Sequence, residues 1–261
     1  MDVARHRIGL IALTLIASAG VAAAAEVRVL SVGSTSTAAK ALAADFAKQS
    51  GHQVTFTITP PFNIDKELAA KTFDAIIISV PAMEAHDQVG TLVQGTRLAL
   101  ARVGVGVVVK DGAPIPDVST PEKFKAAVLA ARSLTHGDPT LANTAGAIVV
   151  AAFSKLGIAD EVKAKTRHAP LAAGGKLVAD GEVEMGFYNV SELPHGVTLA
   201  GPLPGPLQGY TAYEAAVLAK GSKDDAAAAF VKFLASAGAA ATWEKSKLEP
   251  ATSYQPTRAS K

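Results

Sequence analysis

Cysteine is absent from all 261 residues, which excludes disulfides, thiolate metal sites, a cysteine nucleophile and a lipid-anchored cysteine behind a leader. Aromatic residues make up only 5 %, which argues against a carbohydrate or peptide groove, where stacked rings supply the contact area. Neither sign of charge dominates. Against 25 Lys and Arg stand 23 Asp and Glu, a net +2, so nucleic acid and anionic membranes are not indicated as partners. Beyond residue 25 no run approaches the ~18 apolar residues of a membrane-spanning helix, so a soluble mature chain is expected. Gly-x-Ser-x-Gly, P-loop and HExxH motifs are missing. His52, His86, His136, His168 and His195 are scattered without metal-ligand spacing. Neither a metal nor a cofactor is expected.

What is present begins with a leader. Arg5 and Arg7 precede an apolar run over 8–21 and the small residues Ala23-Ala24-Ala25, so residues 1–25 read as a secretory signal cleaved after Ala25. A disulfide-free exported chain suits a bacterial periplasm. Strand and helix patterns then alternate: strands over 27–32, 53–58 and 75–80, with helices over 38–49 and 65–71 between them. This order predicts an α/β layer with a mostly parallel sheet. The same grammar restarts with a strand over 103–109, helices over 121–131, 145–156 and 174–179, and strands over 183–188 and 197–199. A strand over 213–219 and helices over 223–234 and 237–245 follow, and 250–261 reads as a loose polar tail. The expected organisation is two α/β lobes with central mixed sheets and a ligand cleft between them. Lobe 1 comprises 26–104 plus 214–261, and lobe 2 comprises 105–213.

In open α/β sheets ligands sit beyond the carboxyl ends of strands, where loops meet helix N-termini. Four loops qualify: 33–37, 60–63, 138–145 and 188–191. Each is rich in small hydroxyl or amide residues, and a helix N-terminus holds an oxyanion or carboxylate without a formal positive charge. Ser34, Thr35 and Asn63 are the candidate ligand contacts from the first lobe. Thr144, Ala145, Tyr188 and Asn189 are those from the second. Arg102, just before a strand, is a candidate fork for a carboxylate. The rival reading is an exported hydrolase using His136 and Asp138, the one histidine–carboxylate neighbourhood that merits weighing as chemistry.

The segments VRVLSVGSTSTAAKALAADFAKQSGHQV, FDAIIIS, GDPTLANTAGAIVVAAFSKLGI, LVADGEVEMGFYNVSEL and YEAAVLAKGSKDDAAAAFVKFL, in this order and spacing, resemble the periplasmic solute-binding proteins of ABC importers, specifically the molybdate-binding family. The resemblance covers nearly all of the chain beyond the leader. It implies a type 2 periplasmic binding fold, no reaction, and an anion held between two lobes by hydroxyl and backbone N–H donors. The family's first-loop serine falls on Ser34, and its backbone donors fall on Ala145 and near Leu171 and Ala172. Its second serine falls near Pro61, where this chain has Pro61-Phe62-Asn63. Its cleft tyrosine falls on Asn189, with Tyr188 one position earlier. Each missed donor to a desolvated anion weakens binding by roughly 1.5–3 kcal/mol. Two ligand classes therefore stand side by side: a tetrahedral oxyanion and a small organic carboxylate. The implied partner is an ABC permease in the inner membrane, and the expected state is a monomer.

Overall fold

A computed structural model of the chain describes residues 24–221 and 225–254. Most of the expected leader, residues 1–23, and the end of the polar tail, residues 255–261, lie outside the described residues.

The first half is built from β1 (Glu26–Ser31), α1 (Gly33–Ser50), β2 (Gln53–Ile58), α2 (Ile64–Ala70), β3 (Ala75–Ser79) and α3 (Val80–Gln88). β1 lies parallel between β2 and β3, a pairing that needs the crossover connections supplied by the helices between them. The Ile-rich β3 is buried on both faces, which explains its continuous apolar run. α1 starts at Gly33, five residues before the expected start at Ala38, so the pentapeptide read as a loop is the helix's own first turn. α3 was not expected. Pro81 sits in the first turn of this helix, where its missing N–H costs no hydrogen bond.

The 13-residue β4 (Leu98–Lys110) carries the chain onward, five residues longer at its start than the pattern indicated. Then come α4 (Pro121–Ala130), β5 (Leu134–His136), α5 (Thr144–Lys155), α6 (Ala159–Lys163), β6 (Thr166–His168), α7 (Leu171–Asp180), β7 (Met185–Asn189) and β8 (Val197–Pro202). β9 (Tyr210–Val217), α8 (Ala226–Leu234), α9 (Ala240–Lys245) and the short β10 (Glu249–Pro250) close the fold. Hydrogen-bonded strands run in the order β2-β1-β3-β9-β4-β7-β5-β6, with β8 and β10 also on β4. The sheet is mixed. Leu98 to Gly104 of β4 pair with β9 in the first half, whereas Val105 to Val109 pair with β7 in the second. β4 and β9 are thus the crossover strands of two α/β lobes.

Each lobe has its own core, and the few aromatics are concentrated there. Phe46 meets Phe230 at 5.2 Å and Phe233 at 5.5 Å between α1 and α8 in the first lobe. Phe124, Phe153 and Phe187 form the equivalent cluster in the second. Such ring pairs contribute about 0.5–1.5 kcal/mol each beyond the area they bury. Among the described residues, no single helix is long and apolar enough to cross a membrane.

Candidate functional site

A cleft of about 750 Å³ opens between the lobes at the carboxyl ends of β1, β3, β5 and β7. Five helices begin at its wall: α1, α2, α3, α5 and α7. No side chain caps the first turn of α1, α3 or α7, so N–H groups that a cap would satisfy are left to a ligand or to water. In α5 the cap is Asn143, whose Oδ1 accepts from the Gly146 N–H at 2.7 Å and leaves the amides of Thr144 and Ala145 at the cleft. Ahead of it Ala142, which lines the cleft, holds a left-handed φ of 54°. That conformation costs an alanine on the order of 1 kcal/mol, and strain of this kind collects at ligand-clamping sites.

Of the residues singled out from sequence, the fold brings Ser34, Thr144, Ala145 and Asn189 to this cleft. The other four do not line it. Thr35 is fully buried, its hydroxyl 3.0 Å from the Ser31 hydroxyl, because one helical step turns it from the cleft toward β1. Tyr188 precedes Asn189 on β7 and therefore faces the opposite side, where its hydroxyl meets Thr135 at 3.1 Å. Burial pushes that phenol up to about 12. Asn63 lies between two cleft residues, Phe62 and Ile64, without bordering the cleft itself. Arg102 is a correction of a different kind. Between buried Ala101 and Val103 it points away from the core, pairs with Glu249 at 2.7 Å and is sandwiched by the rings of Tyr210 and Tyr254 at 4.1 and 4.4 Å. It ties β10 to β4 and offers no fork to a ligand.

The hydrolase pair does not form either. His136 is buried, and its Nδ1 donates to the Gly137 carbonyl at 2.8 Å. Burial lowers its pKa, which favours the neutral ring. Asp138 instead accepts from the Thr140 hydroxyl and N–H at 2.7 and 2.9 Å, bonds that hold its carboxyl below the usual range.

The residue sequence reasoning missed is Glu192. It stands in a 3-10 turn (Val190–Glu192) after β7, and its Oε1 accepts from the Ser34 hydroxyl at 2.6 Å and from the Asn189 amide at 3.3 Å. Asn189 Nδ2 also reaches Ser34 Oγ at 3.0 Å and the Tyr213 hydroxyl at 3.4 Å. Burial pushes the Glu192 carboxyl up, against the opposing pull of the Ser34 and Asn189 hydrogen bonds. Tyr213, fully enclosed, is pushed up as well. The local signal that could have exposed Glu192 is Gly33: a Cβ there would lie 2.6 Å from Glu192 Oε2, so glycine lets the carboxyl approach the start of α1. Among the described residues, no lysine or arginine lines the cleft. Its ionisable residues are Asp138, His168, Glu192 and Tyr213, and most of the remaining wall is apolar.

A two-lobed mixed sheet with an inter-lobe cleft is the architecture that the sequence resemblance implies, and a family model described as bacterial extracellular solute-binding protein matches residues 27–246. The chain belongs to that family. This solute-binding protein is 30 % identical over 224 residues to the molybdate-binding protein ModA of Azotobacter vinelandii, covering 82 % of this chain and 85 % of that one. It is 29 % identical over 230 residues to an aconitate isomerase of Pseudomonas sp, covering 85 % and 87 %. In structure it resembles the sulfate-binding protein SubI from Mycobacterium tuberculosis H37Rv with a TM-score of 0.70, at 15 % identity and with 89 % and 88 % of the two chains covered. That last likeness speaks for the fold alone. The solute-binding protein is therefore of the ModA-like type, and its cleft coincides with the place where this architecture gathers strand ends and helix N-termini.

Proposed function

We propose that the protein captures a small organic carboxylate between its lobes in the periplasm and delivers it to an ABC permease. The observation that carries this reading is the make-up of the cleft: uncapped helix N-termini from both lobes, no lysine or arginine among the described residues, and apolar lips. Ile58 and Phe62 on one side and Leu141 on the other are among the few large apolar side chains left exposed. A tetrahedral oxyanion has no apolar skeleton to cover them, and an organic acid does. The N–H groups suit the carboxylate ends, and closure over the lips removes the apolar parts from water.

A second reading is favoured by Glu192. A partly buried carboxyl with a raised pKa beside a carboxylate site can take up and return a proton. One relative is named aconitate isomerase, and in this chain such a group would suit a proton shift on a bound carboxylate. One screen separates the two. Thermal melting with di- and tricarboxylates, aconitate, molybdate and sulfate identifies binders, since saturating ligand raises stability by RT ln(1 + [L]/Kd). Proton NMR of each binder then shows whether it is changed. The transport reading expects a carboxylate to raise the melting temperature and to be recovered unaltered. Conversion of aconitate supports the second reading, and a screen in which no anion shifts the melting temperature refutes both.

A further inference from the structure

We propose that Glu192 is the specificity-determining residue of the cleft, selecting ligands that bring a proton of their own, on a hydroxyl or an un-ionised carboxyl, over fully ionised oxyanions. The inference rests on the small-anion reading above and deepens it.

Ser34 has one hydroxyl hydrogen, and it is given to Glu192 Oε1 at 2.6 Å. Asn189 directs its amide hydrogens at Ser34 Oγ, Glu192 Oε1 and the Tyr213 hydroxyl, all of which can accept. This set fixes which end of the amide is nitrogen. The other end, Asn189 Oδ1, is then an acceptor, and it is buried without a hydrogen-bond partner. A buried acceptor left unmade costs about as much as a lost hydrogen bond. At the floor, therefore, Asn189 Oδ1 and the carboxyl of Glu192 are acceptors, while the side-chain hydrogens of Ser34 and Asn189 are already directed within the network. An anion made only of acceptors meets them badly. A hydroxy acid, or a polycarboxylate retaining one proton, brings a donor to the Glu192 carboxyl that lines the cleft, while its ionised end meets the helix N-termini.

Charge points the same way. Gly33 and Ser34 at the start of α1, Asn189 from β7 and Tyr213 from β9 are the groups closest around Glu192, and none carries positive charge. Across the cleft the ionisable residues are Asp138 and His168. An ionised Glu192 thus repels a fully ionised oxyanion with no cationic side chain of the lining except a protonated His168 to offset it, and like charges brought together are an effective means of rejecting a ligand. Protonated, the same carboxyl becomes a donor and the discrimination weakens. Selectivity against ionised oxyanions should therefore grow as pH rises.

Calorimetric titration of the chain and of Glu192→Gln with two probes, citrate and sulfate, at about pH 5 and about pH 8, tests this. Sulfate stays fully ionised throughout, whereas citrate carries a hydroxyl and, at the lower pH, a carboxyl proton. The glutamine keeps the shape and fixes the neutral form. Wild type is expected to prefer citrate, and to bind sulfate more weakly at the higher pH. Glu192→Gln is expected to bind sulfate roughly tenfold or more tightly than wild type at the higher pH and to lose that pH dependence. Sulfate affinity that ignores both pH and the substitution overturns the role of Glu192 while leaving the small-anion reading standing. Binding of neither probe nor any other small anion, by either protein, removes that reading and the inference together. Circular dichroism reports whether Glu192→Gln folds; if it does not, His168→Gln is titrated with sulfate over the same pH range, where a surviving pH dependence supports Glu192 and its disappearance overturns the role.

Discussion

Two neighbouring hydroxyls at the start of α1 face opposite ways. Ser34 borders the cleft and anchors Glu192 and Asn189, whereas Thr35 turns inward to Ser31. Their sequence contexts are nearly identical, and only the 100° step of a helix separates them. Substitution should separate them too. Ser34→Ala removes the hydroxyl that holds the Glu192 carboxyl and the Asn189 amide in place, and ligand affinity should fall by up to about tenfold as those two groups lose their orientation. Thr35→Val should leave affinity unchanged and lower unfolding stability by about 1 kcal/mol, because it deletes a buried hydrogen bond away from the cleft. Titration and urea denaturation of both variants check the pair. Equal affinities would mean that Ser34 has no part in binding. Glu192 itself was not legible in the sequence. A glutamate in a loop reads as a solvated surface charge, and only the packing of the turn after β7 against α1 places its carboxyl beside Ser34.

Among the elements, those with a clean period were legible. β2 occupies Gln53–Ile58 as its alternation indicates, and α5 begins within one residue of the expected start. The short β5 and β6 were not, because three residues carry no usable period and owe their pairing to β7 and to each other. α5 matters most for the site, and its start is doubly fixed. Asn143 caps it, and Gly146 packs so closely under the Gly137 carbonyl that a Cβ would collide with that backbone. Asn143→Ala should lower unfolding stability by about 1 kcal/mol, the usual contribution of a helix cap, and should weaken ligand binding by loosening the amides of Thr144 and Ala145. Urea denaturation with parallel titration tests this. Unchanged stability and affinity would show that the helix start needs no cap.

For the molecule as a whole, the two-lobe plan was legible because β-α-β grammar appears twice, and its mechanics follow from two crossing strands. β4 and β9 join the lobes, while the exposed lips Ile58, Phe62 and Leu141 lie on either side of the opening. A ligand touching both lobes favours a closed arrangement by its differential affinity for it, which is the whole driving force available to such a device. The four charged or polar candidates that fell outside the cleft show the limit of reading a site from loops alone: strand and helix phase decide which of two adjacent residues faces the ligand. The most direct test of inter-lobe capture is a crystal structure of the protein grown with a carboxylate that raises its melting temperature. Density for the acid should lie between the lobes, one oxygen within hydrogen-bond distance of the first-turn amides of α1, another at those of Thr144 and Ala145, and a ligand proton donor at Glu192. An acid bound outside the cleft, or held by one lobe with the start of α1 untouched, would contradict it.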